Sequence, residues 1–327
     1  MPGPGADSAG IRVPAPSPAA IAHLCPQALP ATVHTLGLVL TLGVGLMLAS
    51  SHALGAYLVG QVLLAGAFVH AFVLLHETGH NTLFAQRRLN RLVGHFAGFV
   101  ALIPFHAWQR IHARHHRYTG WQDLDATTAT LVPRTIRSWE RRVIDFAWRS
   151  WLPLFSVLYR LQNYWNLPRM RRFLGARDDV ERIRANLIIQ LLIYAGLVAL
   201  IGVVPLLRLI GPGLLLALMI QDVLLLSQHT HIPQRLSHGA AVKPFRPFEQ
   251  EQYTRSLLLP RWMSVLVMHF DAHELHHMYP NVPGYRLRSI DYTPVNEVDW
   301  LRWIRAAKRL SGVQFLFSNR NDTGAPV

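Results

Sequence analysis

A single cysteine, Cys25, in 327 residues excludes an intramolecular disulfide and any metal site built from thiolates. Charge is scarce too: Asp, Glu, Lys and Arg make up 15% of the chain, against roughly 25% in a soluble globular protein. Acidic residues are the scarcer, 18 against 32 Lys and Arg, so the formal net charge is +14. No stretch alternates polar and apolar residues as a half-buried strand would. No GxGxxG flavin fingerprint is present, and no cysteine run that could hold an iron–sulfur cluster.

What is there instead is apolar. Hydrophobic residues form 51% of the sequence and the mean hydropathy is +0.20. The chain is therefore expected to be solvated partly by lipid. A nucleic-acid binder would need basic patches interleaved with aromatics on a soluble fold, and the long apolar runs argue against that. The Arg excess is read as positive-inside topology, with Arg in cytoplasmic loops beside membrane spans and GC-rich coding helping.

Residues 1–30 are rich in Pro, Ala and Gly and carry no charged lead into a cleavable signal. They are expected to form a disordered cytoplasmic tail, followed by one membrane domain over 31–317 and a C-terminal tail over 318–327. Four stretches, about 31–51, 55–75, 186–206 and 209–227, are apolar over the roughly 20 residues that a helix needs to cross a bilayer. They fall into two pairs, with turns at 52–54 and around Arg208, Gly211 and Pro212. A shorter run at 92–108 is interrupted by His95, Pro104 and His106, and suits a half-inserted helix. The fold class expected is an all-α integral membrane protein: four transmembrane helices in two hairpins under a cytoplasmic helical cap. Both termini and every histidine cluster then lie on the cytoplasmic side.

The histidines carry the chemistry. His76-x-x-x-His80 follows the second span, His112-x-x-His115-His116 follows the half-inserted run, and His273-x-x-His276-His277 follows an apolar run at 256–270. Residues at i, i+3 and i+4 share a helix face, so each segment can aim imidazoles at one point. Imidazole suits Fe, Zn, Cu or Ni. Eight box histidines, with His229 or His231 as a possible ninth, exceed the four ligands of one tetrahedral zinc. They match two metals sharing a site.

These segments, HETGH, HARHH and HELHH, resemble the three histidine boxes of the membrane fatty-acid desaturase/hydroxylase superfamily. The contexts HARHHRYTG, QHTHIP and HELHHMYPNVPGYRL resemble acyl-lipid desaturases, and the likeness covers residues 57–287. The resemblance implies that His76, His80, His112, His115, His116, His273, His276 and His277 ligate two irons. It implies that His231, which follows the last span, completes the set, with His229 as the other candidate. It further implies O2 as co-substrate, two electrons from an external donor such as a ferredoxin or a cytochrome b5, and abstraction of hydrogen from an unactivated C–H bond. The substrate would be an acyl-lipid, an acyl-CoA or an acyl chain on a carrier protein. No catalytic residue beyond the metal centre is expected.

A metal-bound imidazole usually donates its other N–H to a carboxylate, carbonyl or water. Glu77, Asp123, Asp125 and Asp271 are placed for that. So is Asp222, an acid inside a span and two helical turns before His229. Trp108, Trp121, Trp262 and the 256–270 run are candidate walls for an acyl tunnel. The Arg-rich region 134–184 suits anionic lipid, or an acidic electron donor.

Three other readings compete. A hydroxylase or ketolase would use the same ligands. A membrane zinc metalloprotease would use His76-Glu77-x-x-His80 as HExxH but leave the other two boxes idle. A metal transporter would place its site near the bilayer midplane, away from the cytoplasmic span ends.

Overall fold

Gly60 sets how closely the first two long helices approach. In the computed structural model, which describes residues 13–175, 177–325 and 327, helix α1 (Ala28–Ala49) packs along α2 (Leu54–His80). A Cβ on Gly60 would lie 2.4 Å from the Ala49 nitrogen and 2.9 Å from the Gly45 carbonyl oxygen. Only a hydrogen fits there, the small-residue contact common between membrane helices.

Two shorter helices follow, α3 (Arg87–Val100) and α4 (Phe105–Tyr118), then α5 (Ser138–Arg149), α6 (Leu154–Arg160) and α7 (Leu167–Phe173). The long pair α8 (Arg177–Ile201) and α9 (Val203–His229) comes next. Helices α10 (Arg261–Leu266), α11 (His273–Met278), α12 (Gly284–Leu287), α13 (Trp300–Ala307), α14 (Gly312–Phe317) and α15 (Arg320–Thr323) complete the chain. Helices α1, α2, α9 and residues 179–201 of α8 are long and apolar enough to cross a membrane. Helix α2 is the central one, buried against α1, α3 and α9, whereas α1 exposes Leu29, Leu36, Leu40 and Met47 as a lipid-facing helix would.

The second long pair departs from expectation at its turn. The break falls at Gly202, where φ is 87°, and Pro212 lies inside α9. Proline removes a helical N–H and frees the carbonyl four residues earlier. Helix α2 satisfies the damage. Tyr57 Oη donates to the Arg208 oxygen at 3.0 Å, Gln61 Nε2 donates to Leu209 O at 2.9 Å, and the Gly213 N–H donates to Gln61 Oε1 at 2.8 Å. The Gln61 amide thus stands in for a missing turn of ladder. Gln61→Leu is expected to lower stability by about 1–3 kcal/mol for each group left unpaired. A thermal unfolding midpoint in detergent indistinguishable from wild type would contradict this.

The chain is not wholly helical. Ser256–Leu258 and Glu297–Asp299 pair in parallel as β1 and β2, three residues each and too short to leave a periodic signature. Nor are the ends loose where they are described. Residues 1–12 of the expected tail lie outside the described residues. Val13 and Thr293 exchange hydrogen bonds at 3.0 and 3.1 Å, and Ile21 and Leu24 are buried against Leu275, Met278 and Tyr279 around α11. At the other end Val327 is buried with Trp303 and Phe315.

Candidate metal centre

Helices α2, α4, α9 and α11 each deliver histidines to one buried region, and the helical register sorts them into two groups. His76 and His80 (i, i+4) and His112 and His116 (i, i+4) converge with His276. His115 joins His229, His273 and His277, of which the last two are again i, i+4. Within each group one nitrogen per residue lies within 4.8 Å of all the others. Boxes two and three each supply both groups, because the i+3 residue of each box lies about 60° round the helix from i, on the flank away from i+4.

The inner contacts run through Nε2. His76 to His276 is 3.0 Å, His276 to His116 is 2.9 Å and His116 to His112 is 3.1 Å. In the second group His273 to His229 is 2.8 Å, His277 to His273 is 3.1 Å and His115 to His277 is 3.3 Å. Ligands at right angles on bonds of about 2.1 Å would stand about 3.0 Å apart.

The outer nitrogens fix the tautomers. His76 Nδ1 is 3.0 Å from Glu77 Oε1, and Glu77 Oε2 accepts from Thr82 Oγ1 and the Gly284 N–H at 3.0 and 2.7 Å. His115 Nδ1 is 2.7 Å from Asp125 Oδ2, while Asp125 Oδ1 accepts from the Thr127 N–H and hydroxyl, both at 2.9 Å. His277 Nδ1 donates to Gln250 Oε1 at 2.8 Å, and His229 Nδ1 to the Tyr253 carbonyl at 3.1 Å. Any of these rings that is neutral then carries a bare lone pair on Nε2. As neutral rings His115 and His277 would face each other with two lone pairs 3.3 Å apart, which repel unless a cation lies between them. In the first group, buried His80 Nε2 has no hydrogen-bond partner at all, an exposed cost that a metal would remove. The donor set fits metal in both groups.

Electrostatics agree. Burial, reinforced by neighbouring imidazoles, holds His112, His116, His273, His276 and His277 well below the usual histidine range, so they are neutral and able to ligate. Burial opposes ionisation of Asp125, but His115 and the Thr127 N–H outweigh it and hold the carboxyl below its ordinary value.

Other expected participants lie elsewhere. His231 is not brought to either group: it falls beyond the end of α9 with φ 64° and bonds Thr323 Oγ1 at 2.7 Å. His229, the last residue of α9, takes the position instead. Asp123 accepts from Ser237 Oγ and N, and Asp271 pairs with Arg288 at 2.7 Å. Asp222 accepts from the Ser156 N–H at 2.6 Å, two turns of helix from His229. None of the three touches an imidazole of the groups. Trp108 stacks on His112 at 4.8 Å, but Trp121 stacks on Phe245 and Trp262 is exposed, so neither walls the site. Gln250 was not legible as a participant, and its partner is 27 residues away in sequence. Its Nε2 donates to the His116 carbonyl at 2.8 Å, which aims Oε1 at His277.

A cavity of about 30 Å³ beside the histidines, walled partly by Trp108, Phe270 and Leu225, has room for about one water. Leu131, Phe155 and Tyr159 separate it from a larger, mainly apolar groove of about 420 Å³ between α5, α6 and α9.

Comparison with known proteins places this geometry. The family model described as "Fatty acid desaturase" matches residues 52–297. The chain is 26% identical over 263 residues to a protein of Helianthus annuus named sn-2 acyl-lipid omega-3 desaturase (ferredoxin), chloroplastic, covering 75% of this chain and 56% of that one. It is 27% identical over 231 residues to an sn-1 oleoyl-lipid 12-desaturase of Picosynechococcus sp., covering 66% and 62%. It is 25% identical over 242 residues to a fatty acid desaturase of Bacillus subtilis, covering 69% and 64%. The matched region thus spans between half and two-thirds of these relatives' lengths.

Proposed function

Because this chain belongs to the fatty acid desaturase family, we propose that it is a membrane-bound, O2-dependent di-iron enzyme that introduces a double bond into the fatty-acyl chains of lipids. The observation that carries this reading is the pair of histidine groups with bare Nε2 lone pairs turned inward. His76, His80, His112, His116 and His276 would hold one iron, and His115, His229, His273 and His277 the other. Zinc would fit the donors but has no redox chemistry. Two bound irons would supply the reduction of O2 by two external electrons and two protons, coupled to loss of two hydrogens from neighbouring methylenes, giving an alkene and two waters.

The chain's own residues do the rest. Glu77, Asp125, Gln250 and the Tyr253 carbonyl hold the outer nitrogens, so four imidazoles keep one tautomer and one orientation. Trp108, Phe155 and Phe270 keep bulk water from the space beside the rings. The acyl chain lies in the apolar groove and reaches the histidines past Leu131, Phe155 and Tyr159. Helices α1 with α2, and α8 with α9, form two membrane hairpins, with the histidines and both termini on the cytoplasmic side. Electrons come from a separate protein such as a ferredoxin or a cytochrome b5, and the printed name of the Helianthus relative supports the former.

The test is gas chromatography–mass spectrometry of total lipid from a bacterial host expressing wild type or His276→Ala. New double bonds with wild type alone are expected. New hydroxyl groups would move the reaction to hydroxylation on the same site. An unchanged profile, with iron bound and a competent donor present, would overturn the acyl-chain reading.

A further inference from the structure

Helix α5 exposes three large apolar residues on one line: Trp139 is 61% exposed, Val143 48% and Phe146 64%. Their i, i+4, i+7 spacing makes a single strip. Exposed Leu152, Leu158 and Leu161 extend it along the following segment. Beside the strip stand exposed Arg142 and Arg149, with Arg141 farther round and Arg134 and Arg137 leading into the helix. The inner face, Ile144, Ala147 and Trp148, packs against α14 and, through Ala147 and Trp148, lines a cavity shared with α9. In water such a strip would be costly. Apolar residues beside a row of arginines suit the boundary between lipid headgroups and acyl chains.

Depth supports the same placement. Ala147 and Trp148 share a cavity with Met219, Asp222 and Val223 of α9. A crossing of about 20 residues begun at Val203 ends near residue 222, so α5 meets α9 where the hydrocarbon core gives way to headgroups. The groove opens at this level, for Trp139 and Val143 are at once its wall and part of the exposed strip.

We propose that α5 lies in the plane of the membrane surface, seated on anionic lipid, and forms a side door through which the acyl chain of a bilayer-resident lipid slides into the groove. The door rests on the desaturase reading above; the seating of the helix does not. The arginines hold the helix at headgroup level, the strip dips into the acyl region, and a lipid chain passes from bilayer to groove without crossing water. The Arg134–Glu140 ion pair, at 2.9 Å, marks the polar rim of the mouth.

The single native cysteine makes the test direct. In a full-length Cys25→Ser background, nitroxides are placed by Val143→Cys, Phe146→Cys or Arg141→Cys and the protein is reconstituted into phosphatidylglycerol–phosphatidylcholine vesicles. At 143 and 146 the labels are expected to relax with membrane-dissolved O2 and to be shielded from an aqueous nickel chelate; at 141 the order reverses. Equal exposure of all three to nickel would overturn the proposal. So would spin–spin broadening at 143 that vanishes on dilution in lipid, since a second copy of the chain would then cover the strip. For the door, phosphatidylglycerol carrying a diazirine in its acyl chain is expected to label residues 139–158, and Val143→Arg to cut that labelling severalfold. Labelling confined to α1, α2, α8 and α9 would remove the door. Neither readout uses turnover, so failure here and failure of the desaturase reading are told apart.

Discussion

Alanine at His229 is expected to leave the purified protein with about one tightly held iron per chain and with lipid desaturation at background, whereas alanine at His231 leaves both near wild type. His229 contributes Nε2 to the second group, 2.8 Å from His273, and has its ring fixed by the Tyr253 carbonyl. Removing it takes one donor of four and leaves His273 without its nearest partner. The loss should exceed the roughly 10–100-fold that follows removal of a supporting partner. His231 only ties the end of α9 to Thr323 and the Phe315 carbonyl. Its loss should cost about 0.5–1.5 kcal/mol of stability per bond. Iron content by inductively coupled plasma mass spectrometry, with lipid analysis, separates the two. Full metal content in His229→Ala would sink the assignment of the second group.

Removal of the Asp125 side chain is the next largest expected effect. This carboxylate is buried, takes the N–H of His115 at 2.7 Å and is itself held by Thr127. Asp125→Ala frees the ring to turn its N–H inward, and a ring with N–H at Nε2 cannot ligate. Affinity for metal in the second group should fall about 10–100-fold. The first group contains no His115 and should keep its metal. Asp125→Asn retains the shape and an acceptor oxygen, so it should fall between wild type and alanine. The measurement is metal retained per chain against increasing chelator. A single loss curve for both metals, unchanged in Asp125→Ala, would contradict the argument.

The sequence carried much of this. Box histidines were legible because their spacing matches the helix and because each box follows an apolar run, so local rules suffice. The choice between His229 and His231 was not. Two residues on a helix differ by about 200°, and the answer depends on where α9 ends, which tertiary contacts decide. The same spacing leaves Asp123 and Asp125 equivalent in the sequence, yet only Asp125 turns to His115, while Asp123 turns to Ser237. Asp271 was placed by adjacency to box three, but Arg288, seventeen residues on, claims it. Gln250 acts across 27 residues from within a short 3-10 turn, and nothing local marks it. Pro212 reads as a break. It is one only if no neighbour mends the ladder, and Gln61 of α2 does.

The sharing of boxes between the two groups bears on how the protein is made. His76, His80, His112 and His116 emerge early from the ribosome, yet their group lacks His276 until α11 has followed the four long helices. The second group waits for His273 and His277 of the same helix, α11. Neither group can close before α11 has been made, and neither can be completed without bringing in the helix that completes the other. A metal held by these groups would therefore be loaded only after the four long apolar helices have been made, and a truncation anywhere before residue 273 leaves both groups open together.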